Sequence, residues 1–212
     1  MRISKTLMTG AVAAVVSAGS ANAGVVDPFT TAATFGGGNA VWTAISGGLF
    51  AERQAQRFNG ATGTINGSSG SWVATLPSSG SSTTTLNYRV NDDGGTIDLS
   101  GIASMSFSLS GVTGSFNLNW YLVDANGVNA TQAATQVPVS ANGTQTFNFS
   151  TAVPSDPGFD WTQITEMGVQ MTRTGSSSAG FTVSNFNSTA VPAPGALALL
   201  GAAGLVGTRR RR

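Results

Sequence analysis

The sequence predicts an all-β domain, an antiparallel two-sheet β-sandwich of the jelly-roll kind, flanked by an N-terminal signal helix and a short C-terminal apolar helix. Three observations predict the domain. Large apolar residues fall at every second position in a series of short segments. Turn-forming groups such as Asp93-Gly94-Gly95, Asn126-Gly127, Asn142-Gly143 and Asp156-Pro157-Gly158 separate those segments. The body carries no long helical period, so the helices that a parallel βαβ sheet needs are missing.

Taken along the chain, the first strand candidates are Ala40 to Ile45, Phe50 to Phe58, Trp72 to Leu76 and Thr83 to Val90. The clearest alternation is Ser104 to Ser110, where Met105, Phe107 and Leu109 interleave with serines, giving one buried face and one wet face. Ser115 to Val123 begins the same way and ends in the apolar run Trp120-Tyr121-Leu122-Val123, as for a strand covered on both sides. Val128 to Val137, Thr144 to Phe149, Glu166 to Thr172 and Gly180 to Phe186 bring the total to about ten short strands.

One internal echo supports a sandwich. Asp98 to Leu109 and Asp160 to Met171 match in residue type at seven positions, 62 residues apart. In each copy Asp with Ser or Thr can cap a single turn, Ile plugs the core, and a strand follows. Two copies at that spacing are not a solenoid, so they predict the same corner used in two places.

Composition excludes several chemistries. The 212 residues include no Cys and no His, which removes thiol nucleophiles, His-dependent triads, disulfides and zinc sites of nitrogen and sulfur ligands. Charged residues are 9% of the chain, and most of the basic ones sit at the ends. Between residues 24 and 190 four Arg stand against nine acids, leaving that segment at −5, a poor match for phosphate, so nucleic acid is not an expected partner.

The ends read as addresses. Residues 1–23 run from Arg2 and Lys5 through an apolar stretch to Ala21-Asn22-Ala23, the layout of a secretory signal peptide cut by signal peptidase after Ala23. Residues 24–190 then form the sandwich, and residues 191–212 a tail. The tail opens on Val191-Pro192-Ala193-Pro194, continues through apolar Gly195 to Gly207, and ends in Arg209, Arg210, Arg211 and Arg212. Thirteen residues of helix span roughly 20 Å against a hydrocarbon core of roughly 30 Å, so the tail predicts a thin membrane anchor. The arginines hold its end on the cytoplasmic side.

Pro motif, apolar helix and Arg cluster together resemble the PEP-CTERM sorting signal of bacterial exosortase substrates, with Ala193 where that pattern carries Glu. The resemblance implies transient tethering through the tail and recognition by an exosortase-type sorting enzyme near Pro192 and Pro194. It further implies delivery to the cell surface or extracellular matrix of a Gram-negative, exopolysaccharide-making bacterium. Residues 160 to 171 with Ala179 to Phe186 are loosely similar to the last strands of galactose-binding-like jelly rolls, which bears on fold only.

Within the body, candidates for chemistry are few. No tight carboxylate cluster offers the facing pair of a glycosidase, and no catalytic residue is assigned. Calcium is the ligand that carboxylate and carbonyl oxygens can hold, and Asp92, Asp93, Asp124 and Asn126 are the candidate metal residues. Their Asp-Gly and Asn-Gly contexts equally make hairpin turns. For sugar contact the aromatics Trp42, Trp72, Trp120, Trp161, Tyr88 and Tyr121 are available, and Trp72 is the choice because it follows Gly67-Ser68-Ser69-Gly70-Ser71. The functional expectation is a non-enzymatic envelope or exopolysaccharide-matrix protein. A secreted carbohydrate-binding module supported by calcium is the alternative, and a carboxylate glycosidase a third reading.

Overall fold

The computed structural model describes residues 24–37, 40–132 and 136–191. The predicted signal peptide with Ala21 and Ala23, and the tail from Pro192 to Arg212, lie outside the described residues. In chain order the strands begin β1 Val25–Asp27, β2 Ala33–Thr34, β3 Trp42–Ala44, β4 Glu52–Phe58 and β5 Thr62–Asn66. They continue β6 Ser71–Leu76, β7 Thr83–Arg89, β8 Ile102–Thr113, β9 Phe116–Asp124 and β10 Asn129–Thr131. The last are β11 Val137–Val139, β12 Gly143–Asn148, β13 Val153–Pro154, β14 Ile164–Arg173 and β15 Ala179–Ala190.

These make two antiparallel sheets, as the alternation predicts. One has seven strands in the order β12-β8-β15-β6-β5-β2, with β1 on β15. The other has eight in the order β13-β10-β9-β14-β7-β4-β3, with β11 on β9. From β6 to β9 the chain crosses between sheets at every connection, the habit of a jelly roll.

The inward faces interdigitate into one aromatic-rich core. Trp120 stacks on Phe107 at 4.9 Å and on Phe147 at 5.7 Å, and meets Phe186 edge-on at 5.7 Å, joining strands of both sheets. In β8 the predicted alternation holds: Met105, Phe107 and Leu109 are buried while the serines between them face out. In β9 it continues to Asp124, so Tyr121 and Val123 are half-buried on the outer face rather than covered by another layer.

A polar bridge crosses the same core. Asp27 on β1 and Arg53 on β4 pair at 2.5 Å, both essentially without solvent exposure. Tyr88 on β7 donates its hydroxyl to the same carboxylate oxygen at 3.0 Å, and burial pushes its ionisation well above the usual range. The other Asp27 oxygen accepts the Phe29 amide at 2.7 Å, and Arg53 donates to the Thr31 carbonyl at 2.6 Å.

The two echoing corners are built alike and bonded to each other. Asp98 Oδ1 accepts the Ser100 amide at 2.8 Å, and Asp160 Oδ1 accepts the Thr162 amide at 2.9 Å. Each corner starts a strand, β8 in one sheet and β14 in the other. The Leu99 amide donates to the Trp161 carbonyl at 2.9 Å, and Ile97 pairs with Ile164.

Candidate functional site

Polar and aromatic side chains gather on the outer face of the eight-stranded sheet. Because side chains alternate along a strand, its register decides which residues become neighbours. One row across the strands reads Trp42, Gln54, Asn87, Gly168, Tyr121 and Thr131. The next reads Glu52, Arg89, Glu166 and Val123.

Gly168 makes the first row unusual. A Cβ built there would lie 2.0 Å from Tyr121 Cε1 and Cζ, so the tyrosine ring occupies the space that any side chain would fill. The ring therefore lies along the sheet instead of standing off it, with one side against Gly168. Its hydroxyl stands 2.7 Å from Asn87 Oδ1 and 3.2 Å from Glu166 Oε1. One proton serves the nearer contact, and a protonated Glu166 can donate to the same oxygen. Burial pushes the Tyr121 hydroxyl above its ordinary ionisation range, and the nearby Glu166 charge adds to it.

Amides continue the line from Tyr121. Asn87 donates to Gln54 Oε1 at 3.1 Å and Gln56 Oε1 at 3.2 Å, and Gln54 donates to the Ala40 carbonyl at 2.6 Å. In the row beyond, the Thr85 hydroxyl and Asn119 Oδ1 are buried and have no partner among the described residues. Gln170 stands between them in the register.

At the other end Arg89 lies over the Trp42 ring, 4.1 Å from its centroid. It donates to Glu52 Oε2 at 2.6 Å and pairs with Asp92. Two carboxylates offset its charge, so this end offers a flat stacked surface with little net attraction for anions. Burial holds the Glu166 carboxyl above the usual range, against the Tyr121 hydrogen bond and the Arg89 charge that lower it. Arg89 stands between Glu52 and Glu166 in the register, where a glycosidic bond flanked by two carboxylates needs open space.

The residues singled out in the sequence fall elsewhere. Trp72 is 1% exposed, stacked on Phe35 at 5.5 Å and edge-on to Phe181 at 5.2 Å. Its expected sugar contact is corrected by the pleat: Trp72, Ala74 and Leu76 face in and Val73 faces out, while Ser71 at the strand start is itself buried. Trp42 and Tyr121, two other members of the aromatic set, are the half-buried rings on this outer face. Val191, the first residue of the Pro motif, donates its amide to the Gly101 carbonyl at 2.9 Å.

Among the candidate metal residues, Asp124 has both carboxylate oxygens engaged by backbone amides. Asp124 Oδ1 accepts the amides of Asn126 and Val128 at 2.9 and 2.8 Å, and Oδ2 accepts that of Asp160 at 3.0 Å. Asp92 pairs with Arg89, and the Asp93 amide donates to Asn91. Among the described residues no three His, Cys, Asp or Glu side chains form a group able to hold a metal. An apolar hollow of about 490 Å³ beside Leu99, Ile102, Phe149 and Trp161 offers few polar groups. Neither loop nor hollow matches the outer face in chemistry. The signal that could have found the face is the pairing of Tyr121 with Gly168, invisible until the register of β9 on β14 is known.

No protein-family model matches the chain, and comparison with characterised protein sequences finds no match. Among solved structures the chain is similar to the family 11 carbohydrate-binding module of the cellulosomal cellulase Lic26A-Cel5E of Clostridium thermocellum. Identity there is 15%, the TM-score is 0.41, and the match covers 72% of this chain and 96% of that one. The family 30 carbohydrate-binding module of the C. thermocellum cellulase Cel9D-Cel44B matches at 12% identity and TM-score 0.39, over 76% and 92% of the two chains. The agarase AgWH50C matches at 12% identity and TM-score 0.44 over 66% of this chain, which spans only 23% of the agarase.

Proposed function

We propose that this chain is an exported, non-enzymatic protein of the cell envelope or exopolysaccharide matrix, whose sandwich binds polysaccharide across the outer face of the eight-stranded sheet. The observation that carries this reading is the Tyr121 ring lying over Gly168 beside a row of amides. A sugar ring presents C–H patches on its faces and hydroxyls around its rim. Tyr121 and the Trp42–Arg89 stack offer surface to the first, and Gln54, Gln56 and Gln170 offer donors and acceptors to the second, with Asn87 holding Tyr121 and the glutamines in place from beneath. Arg89 shielded by Glu52 and Asp92 favours a neutral polymer over an acidic one.

The two ends supply the rest of the reading. Residues 1–23 support export with cleavage by signal peptidase, and the Val191 to Pro194 motif with Arg209 to Arg212 supports processing by an exosortase-type enzyme at the membrane. Mass spectrometry of the protein from the producing cell tests this part, and a chain that retains Met1 or still ends in Arg212 overturns it.

Binding is tested by electrophoresis of the exported protein through gels containing barley mixed-linkage glucan, guar galactomannan, agarose or alginate. Retardation by a neutral polymer, weakened about threefold to tenfold by Tyr121→Ala, is the expected result, matching a lost aromatic contact of about 0.5–1.5 kcal/mol. No retardation of the wild type, or equal retardation of the variant, overturns the reading.

A further inference from the structure

The opposite face of the sandwich has a different and equally specific chemistry. Strands β2, β5, β6, β8, β12 and β15 contain no Asp, Glu, Lys or Arg. The only charge carried by the seven-stranded sheet is Asp27 on β1, which is buried. Most outward positions are Ser, Thr and Asn instead, with Val73 on β6 an exposed apolar exception, and the register aligns them. Thr144, Ser108 and Ser184 form one row, and Thr146, Ser106 and Asn187 the next. None of the five hydroxyls in these rows bonds to another described residue, and Asn187 bonds only to its neighbour Asn185. Strand geometry spaces such groups by about 4.8 Å across the sheet and about 6.8 Å along β8 and β12, while on β15 a bulge at Asn185 sets Ser184 and Asn187 three positions apart.

An exposed face without charge is uncommon, because soluble domains normally intersperse both signs over their surfaces. It cannot attract phosphates, sulfates or uronic acids through charge. The partner that such a face complements is neutral, dense in hydrogen-bonding groups and repetitive. Ice meets those terms as well, but the sheet's twist of roughly 20–25° per strand carries the rows out of a flat rigid lattice within a few strands. A hydrated, flexible chain can follow the twist. The outer faces of a two-sheet sandwich also point away from each other, so chains held on both cannot be the same local segment.

We infer that the Ser/Thr face of the seven-stranded sheet is a second docking surface for neutral polysaccharide, and that one molecule thereby cross-links two chains; this rests on the polysaccharide reading of the Tyr121 face. The Tyr121 face grips an individual chain through an aromatic ring. The hydroxyl face holds by many weak, replaceable hydrogen bonds, which suits contact with a bundle. Two weak sites on one body give avidity on a polymer network without any new contact.

The test mixes the exported protein with barley mixed-linkage glucan or guar galactomannan and follows low-shear viscosity together with gel retardation. Three proteins are compared: wild type, Tyr121→Ala, and a double variant Ser106→Glu with Thr146→Glu that places two charges in an exposed row. Circular dichroism verifies folding, and Ser106→Thr with Thr146→Ser serves as a neutral control expected to match wild type. Wild type should raise the low-shear viscosity well above that of the polymer alone, because one molecule engages two chains at once. Each single-face variant should stay retarded but lose the thickening. A double variant that thickens like wild type, or a Tyr121→Ala protein with no residual retardation, overturns the second face while leaving the first standing. Full retardation of Tyr121→Ala, with loss in the double variant, overturns the first face instead. Polymer-free dimerisation of wild type that the two glutamates abolish shows that a second copy covers this face and overturns the inference.

Discussion

Asp27 and Arg53 meet at 2.5 Å in the middle of the sandwich, one carried by each sheet. Neither charge reaches water, so each depends on the other and on the hydrogen bonds around it. Removing one partner leaves a buried unpaired charge, a loss of about 3–5 kcal/mol. Asp27→Leu and Arg53→Met should each lower the unfolding free energy, measured by urea titration, by that order. Combining Asp27→Leu with Arg53→Met should cost clearly less than the two losses added, because no charge is left behind. Additive losses in the double-mutant cycle would show that the pair is not coupled.

Gly168 and Tyr121 stand in a dependence that runs one way. Any Cβ at Gly168 meets the ring at 2.0 Å, so Gly168→Ala must lift the tyrosine off the sheet. The ring is at the surface and can rotate away, so the stability loss should stay under about 1–2 kcal/mol, the lower end for overpacking. Polysaccharide retardation should fall as far as in Tyr121→Ala, although no ligand-facing side chain has been removed. Wild-type retardation in Gly168→Ala would mean that the flat ring is not the binding surface.

Much of the fold is legible in the sequence where a strand's own residues alternate, and illegible where the partner completes the pattern. Strand β8 shows this plainly, since Met105, Phe107 and Leu109 supply its whole inner face. Strand β5 escapes the reading because Gly63 faces inward beneath the Phe35 ring, where a Cβ would come within 2.7 Å, so another segment provides the apolar group. Val128 to Val137 reads as one strand but belongs to two, β10 and β11, which pair with different stretches of β9. Strands β1, β2 and β13, of two or three residues each, are too short to show a period. The repeated corner was legible because its Asp-x-Ser/Thr bond is local. The candidate site was not, because Tyr121 gains its role from a glycine 47 positions away in sequence.

Glu166 gives the outer face a pH dependence whose sign follows from its surroundings. Burial raises its folded-state pKa above the ordinary value of 4.5, so the folded protein binds more protons than the unfolded chain across that window. Stability from this group is therefore fully present below the unfolded value and is lost as pH rises through the folded one. Glu166→Gln keeps a donor for the Tyr121 oxygen and removes the charge. It should flatten the fall in urea midpoint as pH rises above 4.5 and be at least as stable as wild type once the wild-type carboxyl has ionised. A steeper fall in the variant would contradict this origin.

Asp124 should be the most sensitive of the corner-forming carboxylates. Burial alone would raise its pKa, but amide hydrogen bonds from Asp160, Val128 and Asn126 outweigh that and hold it below the usual range. Its stabilisation is thus present above the unfolded value of 3.8 and is lost as pH falls through the lower, folded one. Asp98 is also lowered, by Ser100, but that bond serves a single turn two residues away. Asp124 instead joins its own turn to the corner at Asp160, 36 residues on. Asp124→Ala should therefore lower the urea midpoint more than Asp98→Ala at neutral pH, and the gap should close in acid as the wild-type carboxylate takes up its proton. Equal losses at neutral pH, or a gap unchanged in acid, would show that the link to Asp160 contributes nothing.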